Sequence, residues 1–205
     1  MADVAYLKLL KQVIEDAPPR VVNTLETRSN RVVAWVDGAW SNGVGSLGGA
    51  VQLVSPDGNV VGKWFFSEKV PDEIVKKWRE WAKQSSRKQF NTQTEILAII
   101  MFMETFQHII RDASVLVWED NKSAQFNCLR GSSRNELSAG LVVLFWWMAK
   151  NLRAIPWFDR VASASNCADN PSKGDIAMMT RLGCIRVEGK LPLEAFKSIE
   201  FARGM

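Results

Sequence analysis

The chain carries, near its start, the stretch Val32-Val33-Ala34-Trp35-Val36-Asp37, in which apolar residues run up to a carboxylate. A short run rich in β-branched and aromatic residues predicts a buried β-strand, here residues 32–37. Gly38 and Ala39 open a glycine-rich run to Gly49, and we interpret its part before the next predicted strand as a flexible loop. The pattern therefore places Asp37 at the end of a buried strand, where ligands often bind.

A second Asp-Gly pair offers an internal control for the first. Residues 47–54 and 59–66 are predicted strands, and the segment between them is Ser55-Pro56-Asp57-Gly58. This segment has the composition of a hairpin turn. A turn alone explains Asp57-Gly58, whereas Asp37-Gly38 opens a longer run of small residues. The same two letters therefore predict different surroundings.

Helices and strands alternate over the rest of the chain. Residues 91–108, 121–129 and 135–151 are predicted helices, and residues 114–118 and 154–161 are predicted strands. Pro156 favours an edge position for the second of these strands. A last helix should begin near Asp169, and a short one is predicted over residues 193–201. A hairpin meander followed by this alternation predicts a mixed α/β fold, with a five-stranded mixed sheet flanked by helices.

The length favours one domain with appendages, because 205 residues suffice for one substantial core. Residues 1–30 are predicted to form an N-terminal helix and linker, which either docks on the domain or connects it to a larger polypeptide. Residues 31–183 are the predicted domain, with a basic helical insertion at 70–90. Residues 184–205 are predicted to be a C-terminal tail.

The composition indicates an intracellular protein without a membrane partner. No apolar run reaches the ~20 residues of a membrane-spanning helix, and the N-terminus lacks the layout of a secretion signal. Cys128, Cys167 and Cys184 are odd in number and widely spaced. This spacing favours free thiols in a reducing compartment, either the cytoplasm or the nucleus. The formal net charge of +4 favours a polyanionic partner.

Four acidic residues are candidates for a metal site, although each has an ordinary alternative role. Asp37 could belong to a turn, and Asp120 could cap the helix that follows it. Glu95 could close a capping box with Thr92, and Asp169 could simply precede an N-cap at the next residue.

The joint placement of these acids favours the metal site. Asp37 and Asp120 end predicted parallel strands, and Glu95 and Asp169 begin predicted helices, so that all four should converge at one sheet edge. Converging carboxylates repel one another unless cations neutralise them, which Mg²⁺ or Mn²⁺ can do. Two such ions ~4 Å apart can activate a water molecule and stabilise the leaving oxygen of a phosphodiester. The predicted chemistry is therefore phosphodiester hydrolysis.

The sequence around these acids resembles the four motifs of ribonuclease H (RNase H) domains, in the order in which that family carries them. The matching segments are Trp35-Val36-Asp37-Gly38-Ala39, Asn91-Thr92-Gln93-Thr94-Glu95-Ile96-Leu97-Ala98, Trp118-Glu119-Asp120-Asn121-Lys122-Ser123-Ala124 and Asn166-Cys167-Ala168-Asp169-Asn170-Pro171-Ser172. The stretch 157–172 is most similar to RNase H domains attached to retroelement reverse transcriptases. The resemblance covers residues 31–183 and implies an RNase H-like fold.

The resemblance implies a metal-dependent endonuclease that hydrolyses the RNA strand of RNA–DNA hybrids by a two-metal-ion mechanism. Asp37, Glu95, Asp120 and Asp169 would be the catalytic residues and would hold two Mg²⁺ ions, with Mn²⁺ as an alternative. The implied partners are the hybrid and a reverse transcriptase or polymerase.

Residues predicted to contact nucleic acid lie in three parts of the chain. By their positions in the motifs, Gly38, Ala39, Ser41 and Asn91 would lie beside the hybrid. The turn 130–134 could hold a phosphate through Arg130, Ser132 and Arg134. In the basic segment 70–90, Lys76 and Lys77 either belong to a positively charged arm or simply cover a solvated helix that packs its tryptophans inward.

Two departures from the family pattern leave other functions open. Many RNase H domains carry a histidine before the last aspartate, but here residues 162–166 contain none, and His108 is interpreted as structural. The segment 70–90 is longer than a minimal domain needs, so it replaces a basic protrusion or contacts a partner protein. The alternatives are a nuclease of the same fold acting on DNA or structured RNA, and a non-catalytic scaffold in a polymerase or ribonucleoprotein assembly.

Overall fold

The computed structural model describes residues 30–83 and 89–196. The predicted N-terminal helix, residues 84–88 of the basic insertion and the end of the predicted tail lie outside these ranges. Among the described residues, no helix has the length and apolarity needed to cross a membrane.

One mixed sheet of six strands organises the described residues, in the order β5-β4-β1-β2-β3-β6. The strands are β1 Arg31–Ser41, β2 Val44–Val54, β3 Val60–Lys69, β4 Ser114–Glu119, β5 Ile155–Arg160 and β6 Ile185–Arg186. The first three are antiparallel neighbours, β4 is parallel to both β1 and β5, and β6 is parallel to β3. The predicted mixed α/β fold is confirmed, and so is the edge position of the strand that contains Pro156.

The sheet has six strands and not the predicted five. The additional strand, β6, has only two residues and lies in the segment predicted to be a tail. A two-residue strand is too short to show an alternating pattern, which explains why the sequence does not reveal it. Beyond it, Val187, Leu191 and Phe196 pack against the main core. The domain boundary after residue 183 stays a prediction.

Seven α-helices and one 3₁₀ turn lie wholly within the described residues, and residues 193–196, the described part of the helix predicted over 193–201, are also helical. The seven helices and the turn are α1 Asp72–Lys83, α2 Asn91–Thr105, α3 Gln107–Ile110, α4 Lys122–Arg130, α5 Glu136–Leu152, the 3₁₀ turn Ser163–Ser165, α6 Asp169–Ser172 and α7 Ala177–Arg181. Helix α2 is central, and each of its residues from Gln93 to Met103 is buried. The predicted helix 91–108 is interrupted at Phe106, where α2 ends and α3 begins.

The core lies on both faces of the sheet. On β1, Val32, Ala34 and Val36 point into the main cluster, which α2 and α5 cover. A smaller cluster on the opposite face contains Phe65 and Met179. Every second residue of β1 therefore faces α2, as the period of a strand requires.

The run of small residues from Gly38 to Gly49 is not a flexible loop. Strands β1 and β2 pair along their whole length, from Arg31 opposite Val54 to Ser41 opposite Val44. Small residues are required there because other parts of the chain pack closely against the hairpin. A Cβ atom on Gly48 would lie 2.3 Å from the backbone nitrogen of Ser172. Glycine has a low strand propensity, so this packing requirement conceals the strand in the sequence.

Candidate metal centre

Three of the four predicted acids meet at one edge of the sheet. Asp37 lies on β1, Glu95 on α2 and Asp120 directly after β4, and one carboxylate oxygen from each lies within 4.8 Å of the others. The parallel pairing of β1 with β4 ends at Trp35 opposite Trp118, so that Asp37 and Asp120 each lie two residues beyond it. Asp37 and Glu95 are each only 6% exposed, and Asp120 is half-buried. Two of the three carboxylates are therefore largely removed from solvent.

Glu95 is held across the sheet edge and not at the start of its own helix. The backbone nitrogen of Gly38 donates a hydrogen bond of 2.6 Å to its Oε2 atom. No side chain caps the N-terminus of α2, so the capping-box alternative for Glu95 is wrong. Glu95 therefore reaches β1 at the residue after Asp37.

Gly38 makes this approach of helix and strand sterically feasible. A Cβ atom at Gly38 would lie 2.3 Å from the carbonyl carbon of Thr94 and 2.4 Å from the backbone nitrogen of Glu95. No real Cβ atom tolerates such a distance to backbone. The space beside Gly38 is thus filled by α2, so the glycine is required for the packing of this helix on β1. Its predicted contact with nucleic acid stays a prediction.

Asp120 does not cap the helix that follows it. Helix α4 is capped by Asn121, whose Oδ1 accepts hydrogen bonds from the backbone nitrogens of Ser123 and Ala124 at 3.0 and 3.1 Å. The capping alternative for Asp120 is therefore wrong as well. With the cap supplied by its neighbour, the Asp120 carboxylate is available to the group formed with Asp37 and Glu95.

Asp169 stands beside the three-acid group but is not part of it. It begins α6, and its carboxylate forms an ion pair of 2.7 Å with Lys173, one turn further along. The segment is anchored by Asn166, whose side-chain nitrogen donates to the carbonyl oxygen of Val36 at 2.9 Å. Asn166 thus joins the loop before Asp169 to the residue before Asp37. The negative charge of Asp169 contributes to raising the pKa of Asp37.

Glu119 is a fifth acid at this edge, and the sequence analysis did not single it out. Its side chain is fully buried, and its Oε1 accepts a hydrogen bond from the backbone nitrogen of Asn121 at 3.0 Å. Its Oε2 has no hydrogen-bond partner among the described residues. The sequence pattern could have predicted that Glu119 is buried. Val115, Val117 and Glu119 are alternate residues of β4 and therefore share its inward face.

Crowding and burial disfavour the ionised forms of these acids. Burial raises the pKa of Asp37, a hydrogen bond with Ser172 opposes the rise, and the charges of Asp120 and Asp169 add to it. Burial raises the pKa of Glu95 as well, and the negative charges of Glu119 and Asp37 reinforce the effect. Burial is also the largest cause of the raised pKa of Glu119.

The donor set fits a hard divalent cation. Such ions prefer carboxylate oxygens, and a bound cation would relieve the repulsion that raises these pKa values. Lys173 supplies one positive charge nearby, but it is directed at Asp169. The buried Glu119 Oε2, which has no hydrogen-bond partner among the described residues, is a further oxygen ligand atom at this edge. The residues present therefore suit Mg²⁺ or Mn²⁺ at Asp37, Glu95 and Asp120, with Asp169 as an adjacent fourth carboxylate.

The residues predicted to contact nucleic acid are distributed over several surfaces. Ala39 is half-buried and Ser41 exposed on the last residues of β1, and Asn91 is exposed at the first residue of α2. The other predicted contacts are exposed side chains on α1 and on and after the end of α4, namely Lys76, Lys77, Arg130, Ser132 and Arg134. Their contacts with nucleic acid stay predictions. His108 is exposed on α3, at the opposite end of α2 from Glu95.

Solved structures with a similar chain trace include two RNase H1 enzymes and a viral reverse transcriptase. LC11-RNase H1, isolated from compost by a metagenomic approach, is 15% identical over 74% of this chain and 99% of that chain, with a TM-score of 0.52. RNase H1 from the halophilic archaeon Halobacterium salinarum NRC-1 is 18% identical over 71% of this chain and 97% of that chain, with a TM-score of 0.49. The protease-reverse transcriptase of prototype foamy virus is 10% identical over 78% of this chain and 22% of that chain, with a TM-score of 0.42.

The similarity to LC11-RNase H1 shows that this chain has the RNase H fold. The fold implied by the four sequence motifs is thus confirmed. No protein-family description and no curated protein sequence matches the chain.

Proposed function

We propose that the protein is a divalent-metal-dependent endonuclease that hydrolyses the RNA strand of RNA–DNA hybrids. The proposal rests on the meeting of Asp37, Glu95 and Asp120 within 4.8 Å on an RNase H fold. A fold alone does not imply a function. Here the acids of three sequence motifs converge at one edge of the sheet although they are far apart in the chain. None of the three has the turn or capping role that could have explained it separately.

The chain's own residues would hold the cations and keep the carboxylates in place. Bound divalent ions would supply Lewis acidity at the phosphate and lower the pKa of a water molecule. Asp37, Glu95 and Asp120 would bind them, and Asp169 would complete the set. The Gly38 backbone nitrogen orients Glu95. Lys173 neutralises Asp169, so a cation would compete with this lysine for the fourth carboxylate.

The choice of substrate follows from the motifs that surround the acids. All four belong to the pattern of RNase H domains, whose members cleave the RNA strand of hybrids, and the chain has the fold of LC11-RNase H1. The similarity of residues 157–172 to retroelement domains extends the proposal to a reverse transcriptase or polymerase as the protein partner. The 2′-hydroxyl groups in the wide, shallow minor groove would distinguish the RNA strand from DNA.

A panel of substrates tests this proposal. The protein would be incubated with Mg²⁺ and an RNA–DNA hybrid, double-stranded RNA, double-stranded DNA or branched DNA, with EDTA as the control. We expect cleavage of the RNA strand of the hybrid only, and its loss in Asp120→Asn. The Asn121→Ala variant would lose the α4 cap but keep the carboxylate, so it separates a catalytic loss from a folding defect.

Three results would contradict the proposal. Preference for DNA or for double-stranded RNA would indicate a different nuclease of the same fold. Unchanged cleavage by a folded Asp120→Asn variant would show that the acids are not the site. An intact protein that neither cuts any substrate nor binds Mn²⁺ would indicate a scaffold.

A further inference from the structure

A basic groove lies between α1 and the turn that joins β1 to β2. Its volume is about 560 Å³. Its charged lining residues are Lys69, Asp72, Lys76, Arg79, Glu80 and Lys83. Lys76 is therefore part of the groove wall, whereas the adjacent Lys77 is not. The sequence prediction for the segment 70–90 did not distinguish these two lysines.

Positive charge predominates in this groove. Three lysines and one arginine line it, against the two acids Asp72 and Glu80. Within the described residues, Lys69, Lys76 and Lys83 form no ion pair. An excess of cations around a concavity creates a positive potential that attracts anions. The side chains lining the groove thus favour an anionic ligand.

The wall of the groove is fixed to the hairpin. Arg79 donates a hydrogen bond of 2.7 Å from Nη2 to the carbonyl oxygen of Gly43. Gly43 has a positive φ of 78°, and a Cβ atom there would lie 2.6 Å from the same Arg79 nitrogen. The left-handed backbone conformation therefore favours glycine, and the end of the Arg79 side chain occupies the space where a Cβ atom would lie. This contact holds α1 against the turn.

Aromatic packing fixes the groove relative to the three-acid group. Trp78 of α1 is buried, and its ring centroid lies 6.1 Å from that of Trp40 and 5.4 Å from that of Phe90. Trp40 lies on β1, the strand that carries Asp37, and Phe90 directly precedes α2, the helix that carries Glu95. Both elements that supply acids therefore also support α1.

The groove is too far from the acids to bind the phosphate that would be cut. Ser41 is four residues beyond Asp37 on β1, which corresponds to ~13 Å at the rise of a strand. The turn and the groove lie beyond Ser41. A ligand phosphate in the groove would accordingly belong to another position of the nucleic-acid backbone.

We propose that this groove binds a backbone phosphate of the nucleic-acid substrate, several nucleotides from the bond that is cut, through Lys69, Lys76 and Lys83. This inference rests on the proposed function and assigns to its substrate a second point of contact. Such contacts position a duplex without reading its sequence. The groove would set the register of the hybrid relative to Asp37, Glu95 and Asp120.

The salt dependence of hybrid binding tests the proposal. Fluorescence anisotropy with a labelled hybrid in EDTA would measure binding without cleavage, for the wild type, Lys76→Gln, Lys69→Gln/Lys76→Gln, Lys77→Gln and Lys190→Gln. Each lost phosphate contact should reduce the slope of log K against log salt by about 1. We expect this reduction for Lys76→Gln and a larger one for the double variant. The exposed Lys190 lies outside the groove, so its variant should bind as the wild type does.

Neutral linkages in the hybrid would locate the contact. A single methylphosphonate several nucleotides from the cut should raise the KM of the wild type but add nothing to the defect of Lys76→Gln. That non-additivity would identify the phosphate bound by the groove.

Two outcomes would overturn the inference. Equal losses in Lys76→Gln and Lys77→Gln would show diffuse charge and no groove site. Unchanged hybrid binding by Lys76→Gln would instead indicate a different anionic partner, such as an acidic protein segment. Failure of the proposed function is distinguishable, because hybrid binding in EDTA requires no cleavage.

Discussion

Two Asp-Gly pairs in this chain have the same letters and opposite surroundings. Asp57 is fully exposed in the turn between β2 and β3, where the Asn59 side chain donates a hydrogen bond of 2.7 Å to it. Asp37 is 6% exposed on β1 and lies beside two other carboxylates. Gly58 has a φ of +87° and nothing within 4 Å of its Cβ position, whereas the Cβ position of Gly38 is occupied by α2. Backbone conformation requires one glycine, and packing requires the other.

The electrostatics of the two aspartates differ in the same way. Hydrogen bonds from Ser55 and its neighbours lower the pKa of Asp57, so its surroundings favour the ionised form. Burial and neighbouring acids raise the pKa of Asp37, so its surroundings disfavour that form. A carboxylate kept in a place that opposes its charge is typical of a functional site. The comparison therefore separates a structural aspartate from a candidate ligand.

Replacing each aspartate with asparagine should give the largest difference between the two pairs. Asp37→Asn removes a proposed metal ligand, and the loss of several kcal/mol of transition-state stabilisation should lower hybrid cleavage by about a thousandfold. Asp57→Asn should leave the rate near that of the wild type. Steady-state cleavage of a labelled hybrid measures both. Similar cleavage rates for the two variants would show that Asp37 is not a catalytic metal ligand.

Replacing each glycine with alanine should give the next largest difference, this time in stability. Gly38→Ala forces a Cβ atom against the backbone of α2, and overpacking of this kind costs about 3 kcal/mol. Gly58→Ala has space but strains a left-handed backbone, at about 1 kcal/mol. Urea unfolding followed by circular dichroism would give both free energies. Equal losses would mean that α2 does not press on Gly38 as described.

The pH dependence of stability should have opposite signs at the two aspartates. Because the pKa of Asp37 is raised above its ordinary value of 3.8, stability associated with its protonated form is present below that value and is lost as the pH rises through the folded-state pKa. Because the pKa of Asp57 is lowered, its contribution is present above 3.8 and is lost as the pH falls through the folded-state pKa.

Metal-free unfolding at several pH values checks these signs. At neutral pH, Asp37→Asn should be more stable than the wild type by about 1 kcal/mol, a typical gain for a single stabilising substitution. The gain should vanish in acid, where the native aspartate is protonated in both states. Asp57→Asn should be slightly less stable than the wild type at neutral pH. A destabilised Asp37→Asn at neutral pH would contradict the description of Asp37 as a strained carboxylate.

The sequence was sufficient to predict the elements whose patterns are long and regular. Helix α2 is recognisable from its apolar residues, and the strand carrying Pro156 was correctly predicted at an edge. The three acids that meet were each identified, because the sequence places each of them at the end of a predicted strand or in the first turn of a predicted helix. The prediction that β1 ends at Asp37 was wrong, since the strand continues to Ser41. Local pattern and motif agreed at these positions, which is where prediction from sequence succeeds.

What the sequence concealed depends on contacts between distant residues. The hairpin after Gly38 resembled a loop, since its glycines accommodate α2, α6 and Phe66, which lie elsewhere in the chain. Glu119 directly precedes Asp120, and only the alternation of side chains along β4 determines which of the two faces the core. The caps could not be assigned either, because Asn121 competes with Asp120 for the same role. The hairpin, the burial of Glu119 and the cap of α4 can each be assigned only when the pairing of the strands and the packing of the helices are known.

Binding of Mn²⁺ tests the central claim, that Asp37, Glu95 and Asp120 form a divalent-metal site. Titration at neutral pH, followed by electron paramagnetic resonance, would compare the wild type with Asp37→Asn and Asp57→Asn. We predict that the wild type and Asp57→Asn bind Mn²⁺ with the same affinity and that Asp37→Asn binds at least about tenfold more weakly, a difference of about 1.4 kcal/mol. Equal affinities for all three proteins, or no binding by a folded wild type, would contradict the claim.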